Sequence, residues 1–202
     1  PHFLFNIINT MASLVRTDPD KARVMLREFA VFYRQTLENS SDLIPLSREV
    51  EQTVRYLSLE QARFGEDRLA VEVDIDDEVR AMQVPAFMVQ PLVENAIYHG
   101  IKVKQQGGTV RIESLLEEDR LLITVEDDGI GMTPEQLETI LDKKESDAES
   151  TKIGVYNVNE RLQLFFGPDA VMKYYSTPGK RTMVMLVLPI VREKEENSHA
   201  EG

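Results

Sequence analysis

The sequence predicts an α+β protein in which helices come first and a part built of strands and helices follows. Three observations carry this. Up to Phe64 the apolar residues recur at helical spacing in three separate stretches. After Gly65 the period changes, and Leu69, Val71, Val73 and Ile75 alternate with small or charged residues as in a half-buried strand. Between Val93 and Gly131 a helical run with polar insertions gives way to the strand-like Leu121–Val125, which ends in Asp127-Asp128-Gly129-Ile130-Gly131.

In the first helix, His2 to Arg16, the stripe is Leu4, Ile7/Ile8, Met11 and Leu14/Val15, while His2, Asn6, Asn9 and Ser13 form the wet face. Asp18-Pro19 reads as a cap with proline at the first helical position, opening a second helix with Ala22, Met25/Leu26, Phe29, Phe32/Tyr33 and Thr36/Leu37 inward. Residues 39–42 are a loop. Ser47 is expected to cap a third helix carrying Val50, Val54, Leu57 and Phe64, which Gly65 ends. Such helices bury their stripes against one another, and the first is too one-sided to stand alone. A four-helix bundle shared by two chains, a homodimer, completes it.

Gly65-Glu66-Asp67 is the expected boundary, giving domains 1–64 and 66–191 with a disordered tail over 192–202. Within the second, Val84-Pro85 introduces a helix from Phe87 to His99 that Pro91 starts or kinks. Val110–Leu116 and Leu121–Val125 form a hairpin through residues 117–119. Thr133-Pro134 caps a short helix, residues 142–151 read as a mobile charged stretch, and Gly154–Phe166 reads as a helix. Val171–Tyr175 and Met183–Leu188 are the last strands.

Composition narrows the function. The formal net charge of −12 and pI near 4.8 exclude nucleic acid or an anionic membrane surface as a generic partner. Without cysteine there is no disulfide framework, thiolate metal site or Cys nucleophile. No apolar run approaches the roughly 20 residues that span a bilayer. Because Pro1 opens the chain with no Met, we read it as a fragment, so any membrane attachment lies in upstream segments.

The residues that can carry chemistry sit at the joints. At helical spacing Asn95 and His99 stand one turn apart, as do Glu94 and Tyr98. An amide there and a carboxylate at Asp127 suit a pocket that needs an oxygen ligand for a metal and an acceptor for an amino group. A nucleotide makes both demands. Each residue also has a plain alternative: Asp127-Asp128-Gly129 as a simple turn, Asn95 as a satisfied core amide, Lys102 and Lys104 as a solvated face, His99 as structural. His2, on the polar face of its helix, offers a neutral imidazole nitrogen, a good nucleophile near pH 7, or is an ordinary surface histidine.

Four motifs occur in order: Pro1-His2-Phe3-Leu4-Phe5-Asn6, Glu94-Asn95-Ala96 with His99-Gly100, Asp127-Asp128-Gly129-Ile130-Gly131, and Gly154-Val155-Tyr156-Asn157-Val158-Asn159-Glu160-Arg161-Leu162. Together they resemble the LytS/YesM-like sensor histidine kinases of bacterial two-component systems, from His2 to about Pro189. The resemblance implies a helical dimerisation and phosphotransfer hairpin followed by a Bergerat-type α/β-sandwich ATPase domain. It implies ATP and Mg2+ as nucleotide and metal, a homodimer, a response-regulator aspartate as final acceptor, and the cytoplasmic portion of a bacterial inner-membrane sensor.

By the same resemblance His2 matches the phosphoacceptor, Asn95 the asparagine whose side-chain oxygen holds Mg2+, and Asp127 the carboxylate that reads the adenine amino group. Gly129 and Gly131 match positions where backbone passes the base, Gly154 and Asn157 the return of the lid to the phosphates, and Thr182 a threonine near adenine. Positive charge for the phosphoryl group could come from Lys102, Lys104, Lys152 or Arg161.

Three departures stand out. Pro91 occupies the place where ATP-hydrolysing relatives carry an activating carboxylate, Lys152 stands where a glycine is common, and Phe3 follows the histidine where many histidine kinases have an acid. The base is then expected elsewhere, with Glu94 the candidate. An ATPase of the same superfamily and a non-catalytic nucleotide-binding dimer module are the rival readings. Transfer to His2 requires the nucleotide domain to dock on the helices by a hinge near Gly65.

Overall fold

The computed structural model describes residues 2–38, 43–65, 67–142 and 150–190. The expected loop at 39–42, most of the charged stretch at 142–151 and the tail at 192–202 fall outside the described residues, as do the side chains of His2 and of residues 139–142 and 150–156.

Helix α1 (His2–Thr17) buries Ile7 and Met11, and α2 (Pro19–Glu38) buries Ala22, Met25 and Phe32. Asp18 caps α2 as expected, its Oδ1 accepting from the Lys21 amide at 3.0 Å. Each helix has more apolar surface than its neighbours cover: Phe5, Ile8 and Val15 of α1 and Leu26, Tyr33 and Leu37 of α2 stay exposed.

Helix α3 (Leu46–Phe64) differs from expectation at its start. No side chain caps it; Ser47 is already inside the helix. A short antiparallel ladder that periodicity does not reveal joins β1 (Leu43–Pro45) to β3 (Gln83–Pro85). Beside that ladder, the Met82 and Arg80 carbonyls accept from the Leu46 and Ser47 amides, each at 2.9 Å, and serve as the cap. Helix α3 is also buried on more than one side. Val50 and Leu57 belong to the stripe, but Glu49, Gln52, Thr53, Tyr56 and Glu60 are buried as well.

Among the described residues a five-stranded mixed sheet follows, ordered β2-β4-β5-β7-β6. Its strands are β2 (Leu69–Ile75), β4 (Gly108–Glu117), β5 (Arg120–Asp127), β6 (Val171–Thr177) and β7 (Arg181–Pro189). Strands β2 and β4 run parallel and the other pairs antiparallel, with β4 and β5 joined as the expected hairpin. One face carries Arg111, Glu72, Glu126 and Arg181 in ion pairs across three strand junctions. The other carries Val110, Ile112, Leu121, Ile123, Val125, Val184, Leu186 and Leu188 into a cluster with Val93, Ile97, Ile101, Val158 and Leu162. That cluster also includes Leu57, Leu59, Met25 and Ile7, so the apolar core runs through the Gly65 boundary without a break.

The expected Phe87–His99 helix is shorter and broken in two. Phe87 takes a left-handed conformation (φ 58°), and α4 covers only Gln90–Asn95. The chain then widens into a π-helical turn, Ala96–Ile101, closed by Lys102 N–H to the Ile97 carbonyl at 2.8 Å. Two more helices complete the layer, α5 (Pro134–Asp142) and α6 (Ser150–Phe166). Because α6 begins at Ser150, Gly154 lies within it instead of opening it.

Candidate functional site

Strand β5 alternates half-buried and buried positions, and Asp127 occupies the last buried one, in phase with Leu121, Ile123 and Val125. Only 3% of it is exposed. Its Oδ1 accepts from the Gly129 amide at 2.9 Å. Burial pushes its carboxyl up to about 7; the Gly129 amide opposes this, Asp128 and Glu126 add to it, and Lys104 opposes it. A carboxylate with one oxygen tied to backbone still has acceptor capacity for an amino group.

Backbone packs directly against Asp127 because two positions beside it carry no side chain. A Cβ on Gly100 would stand 2.2 Å from Asp127 Oδ1, and one on Gly129 would stand 2.4 Å from the Gly100 backbone. The π turn brings Gly100 to this point, and the Ile130 amide donates to its carbonyl at 3.2 Å. Gly131 (φ 62°) makes the turn a side chain would resist. Thr182 pairs with Asp127 across β5 and β7, its hydroxyl 3.0 Å from that of Ser176.

Asn95 ends α4 half-buried, and among the described residues its amide has no hydrogen-bond partner. Glu94 accepts from Gln90 at 2.9 Å; burial raises its pKa, the Gln90 bond lowers it and Glu60 raises it. Among the described residues no group of three acidic, His or Cys side chains could hold a metal. The half-buried side chain of Asn95 offers one hard oxygen donor, the kind that Mg2+ takes beside phosphate oxygens and water.

The basic candidates divide. Lys104 donates to the Asp128 carbonyl at 2.7 Å, and Arg161 donates to the Ala86 carbonyl, so both are engaged with backbone. Lys102 is exposed, its ammonium 5.2 Å over the Tyr98 ring. His99 and Asn157 are exposed.

Helix α1 reaches the same neighbourhood. Phe3 packs on Tyr56 and Phe32, with ring centroids 4.9 and 5.6 Å apart. Asn6, one turn after His2, bears on the Tyr98 hydroxyl, as does Glu60. Glu60 has no exposed surface and is held by Arg63, whose Nε donates at 2.8 Å, with Tyr56 at 3.4 Å. Reading the sequence missed this cluster and Glu49. Their signal was Glu49, Thr53, Tyr56 and Glu60 recurring at helical spacing beside the apolar stripe.

Residues 59–192 match the family described as histidine kinase-, DNA gyrase B-, and HSP90-like ATPase. The chain belongs to that family. Residues 1–69 match the family described as histidine kinase, so the two matches between them span the helices and the sheet. The sensor protein LytS of Bacillus subtilis is 38% identical over 203 residues, covering 100% of this chain and 34% of that protein. The sensor histidine kinase/phosphatase LytS of Staphylococcus aureus is 36% identical over 198 residues, 97% of this chain and 34% of its own. The chain thus spans about a third of the length of these relatives.

Among solved structures, the histidine kinase domain of the Erythrobacter litoralis blue-light-activated kinase superposes with a TM-score of 0.54 at 17% identity, over 94% of this chain and 93% of that one. Acinetobacter baumannii histidine kinase AdeS gives 0.55 at 12%, over 85% and 79%. At these identities the likeness is one of fold. No helix among the described residues is long and apolar enough to cross a membrane.

Proposed function

We propose that this sensor kinase core binds ATP between the α4–π segment and the Asp127–Gly131 turn and transfers its γ-phosphoryl group to His2. The observation that carries the reading is Asp127: a buried carboxylate on the core side of a strand, one oxygen on the Gly129 amide, facing backbone stripped of side chains. Asp127 would accept from the adenine amino group, with Thr182 beside it. Asn95 would hold Mg2+ through its side-chain oxygen. The ion, when bound, neutralises charge on the phosphates. Gly154 and Asn157 on α6, Lys102 and His99 stand for the phosphate side. Arg161, held on Ala86, supports the turn before α4 instead of reaching the nucleotide.

In the transfer, an imidazole nitrogen of His2 forms a bond to phosphorus as the bridging bond to ADP breaks, and the ring proton leaves to a base. Glu94 is our candidate, since burial and the neighbouring Glu60 raise its proton affinity. A response-regulator aspartate then takes the phosphoryl group. Residues 1–64 act as the dimerisation and phosphotransfer part and 66–191 as the nucleotide part, with α3 serving both. Its Tyr56 meets Phe3 and Phe32, while Glu49 meets the turn at 87–89. The exposed apolar residues of α1 and α2 suit a second copy of this chain, completing a four-helix bundle. The fragment is the cytoplasmic portion of an inner-membrane sensor.

Incubation with γ-labelled ATP and Mg2+ tests the reading. Wild type is expected to take up acid-labile, base-stable label, and His2→Ala none. Label retained by His2→Ala, or steady phosphate release without a phosphoprotein, would overturn it, the latter in favour of an ATPase.

A further inference from the structure

Glu49 is 1% exposed, and among the described residues no basic side chain pairs with it. Its Oε2 accepts from the Phe87 amide and its Oε1 from the Val89 amide, each at 2.9 Å. The Met88 and Gln90 amides also bear on the carboxylate, so four consecutive backbone N–H groups converge on one buried group. Burial raises its pKa and those amides lower it.

Packing alone does not call for a carboxylate here. A buried charge is costly unless its bonds are directional and complete. Only a group with two acceptor oxygens and no donor can receive amides on both sides; glutamine would turn an NH2 toward one of them.

The turn so held leads straight to the metal amide. Phe87 is left-handed, an unusual conformation for a bulky residue, and Arg161 of α6 grips the preceding Ala86 carbonyl. The Val89 carbonyl then accepts from Leu92 and Val93, both at 3.1 Å, starting the helix that ends at Asn95. From Val89 to Asn95 is about 9 Å along a helix axis, and the Ala96 amide continues the ladder by donating to the Leu92 and Val93 carbonyls. The apolar contacts of Leu92, Val93 and Ala96 hold the segment to the core, but such contacts tolerate small slides and rolls. Directional bonds at 87 and 89 do not.

We propose that Glu49 is a positioning residue for Asn95: by taking the Phe87 and Val89 amides it fixes the start of α4, and with it the place of the oxygen that would hold the divalent ion. This rests on the assignment of Asn95 made above. It ties α3 to the nucleotide site, so a movement of α3 reaches Asn95 through one side chain.

Titration calorimetry with ADP, in excess Mg2+ and separately in EDTA, tests the idea on wild type, Glu49→Gln and Asn95→Ala. For Glu49→Gln the Mg2+-linked gain in ADP affinity is expected to shrink about tenfold while affinity in EDTA stays within about twofold. Asn95→Ala should lose that gain altogether. A gain preserved in Glu49→Gln but lost in Asn95→Ala overturns the role of Glu49. Equal losses with and without Mg2+ reduce Glu49 to general support and overturn it too. A gain preserved in Asn95→Ala overturns the metal assignment itself and the proposal with it. On the unaltered protein, exchange of the Phe87 and Val89 amides should slow more with Mg·ADP than with ADP in EDTA, and equal slowing overturns the coupling whatever the variants do.

Discussion

Asp127→Asn separates what the nucleotide pocket costs the fold from what it does for the ligand. Asp127 ionises at about 7 in the folded chain against an ordinary 3.8, because burial disfavours its charge. The folded state therefore holds this proton more tightly than the unfolded one. Its contribution to stability is complete below about pH 4 and is lost as pH rises through 7. From 3.8 to about 7, at 1.36 kcal/mol per pH unit, the loss by pH 8 is up to about 4 kcal/mol. Asparagine has no charge to bury, and its Oδ1 can keep the 2.9 Å bond from the Gly129 amide.

Nucleotide-free Asp127→Asn is thus expected to be more stable than wild type, by about 1–2 kcal/mol at pH 5 and up to about 4 kcal/mol at pH 8. Its remaining NH2 would face the adenine amino group, donor against donor, and ADP affinity should fall about 10- to 100-fold. Urea unfolding at the two pH values, with calorimetric ADP titration at pH 8, measures both. An advantage that does not grow with pH would refute the reasoning that desolvation of Asp127 sets its proton affinity. Undiminished ADP binding would refute its role.

Other expectations follow from single contacts. Gly100→Ala would put a methyl 2.2 Å from Asp127 Oδ1, so it should cost about 1–3 kcal/mol by urea unfolding and remove ADP binding; a neutral result means the π turn is not seated against Asp127. Phe3→Ala removes a half-buried ring from Tyr56 and Phe32 and should lower stability by about 2 kcal/mol, with no change if α1 is not docked through it. Ile8→Glu with Leu37→Glu charges the exposed face of α1 and α2, and sedimentation should show a shift from dimer to monomer with ADP binding retained. Wild-type ADP affinity should weaken as pH falls through about 7, where Asp127 takes up its proton, and a flat profile there would count against the carboxylate as the acceptor.

The elements of this protein were largely legible wherever one period held over a whole segment. Asp18-Pro19 opened α2, the strand alternation of β2 and the β4–β5 hairpin are where spacing put them, and the chain belongs to the expected family. Asp127 also had a readable signal, since counting by two from Leu121 puts a carboxylate on the buried face. Reading failed where the partner came from far along the chain. Ser47 looks like a cap because Met82 and Arg80 cannot be seen to do that work. Glu49 looks like a surface charge because its partners lie 38 and 40 residues away.

What the sequence determined by itself is which segments are helix or strand and which side chains have the chemistry to hold a nucleotide, since periodicity and residue type are local properties. Only the tertiary structure decided that Asn95 and Gly100 sit on a helix that widens into a π turn, and that Asp127 lies against Gly100. It alone decided that α3 is enclosed on both flanks, turning two glutamates inward. Those outcomes depend on which backbone groups are left without a partner once the layers close, and a buried amide or carboxylate takes whichever partner the packing brings within reach.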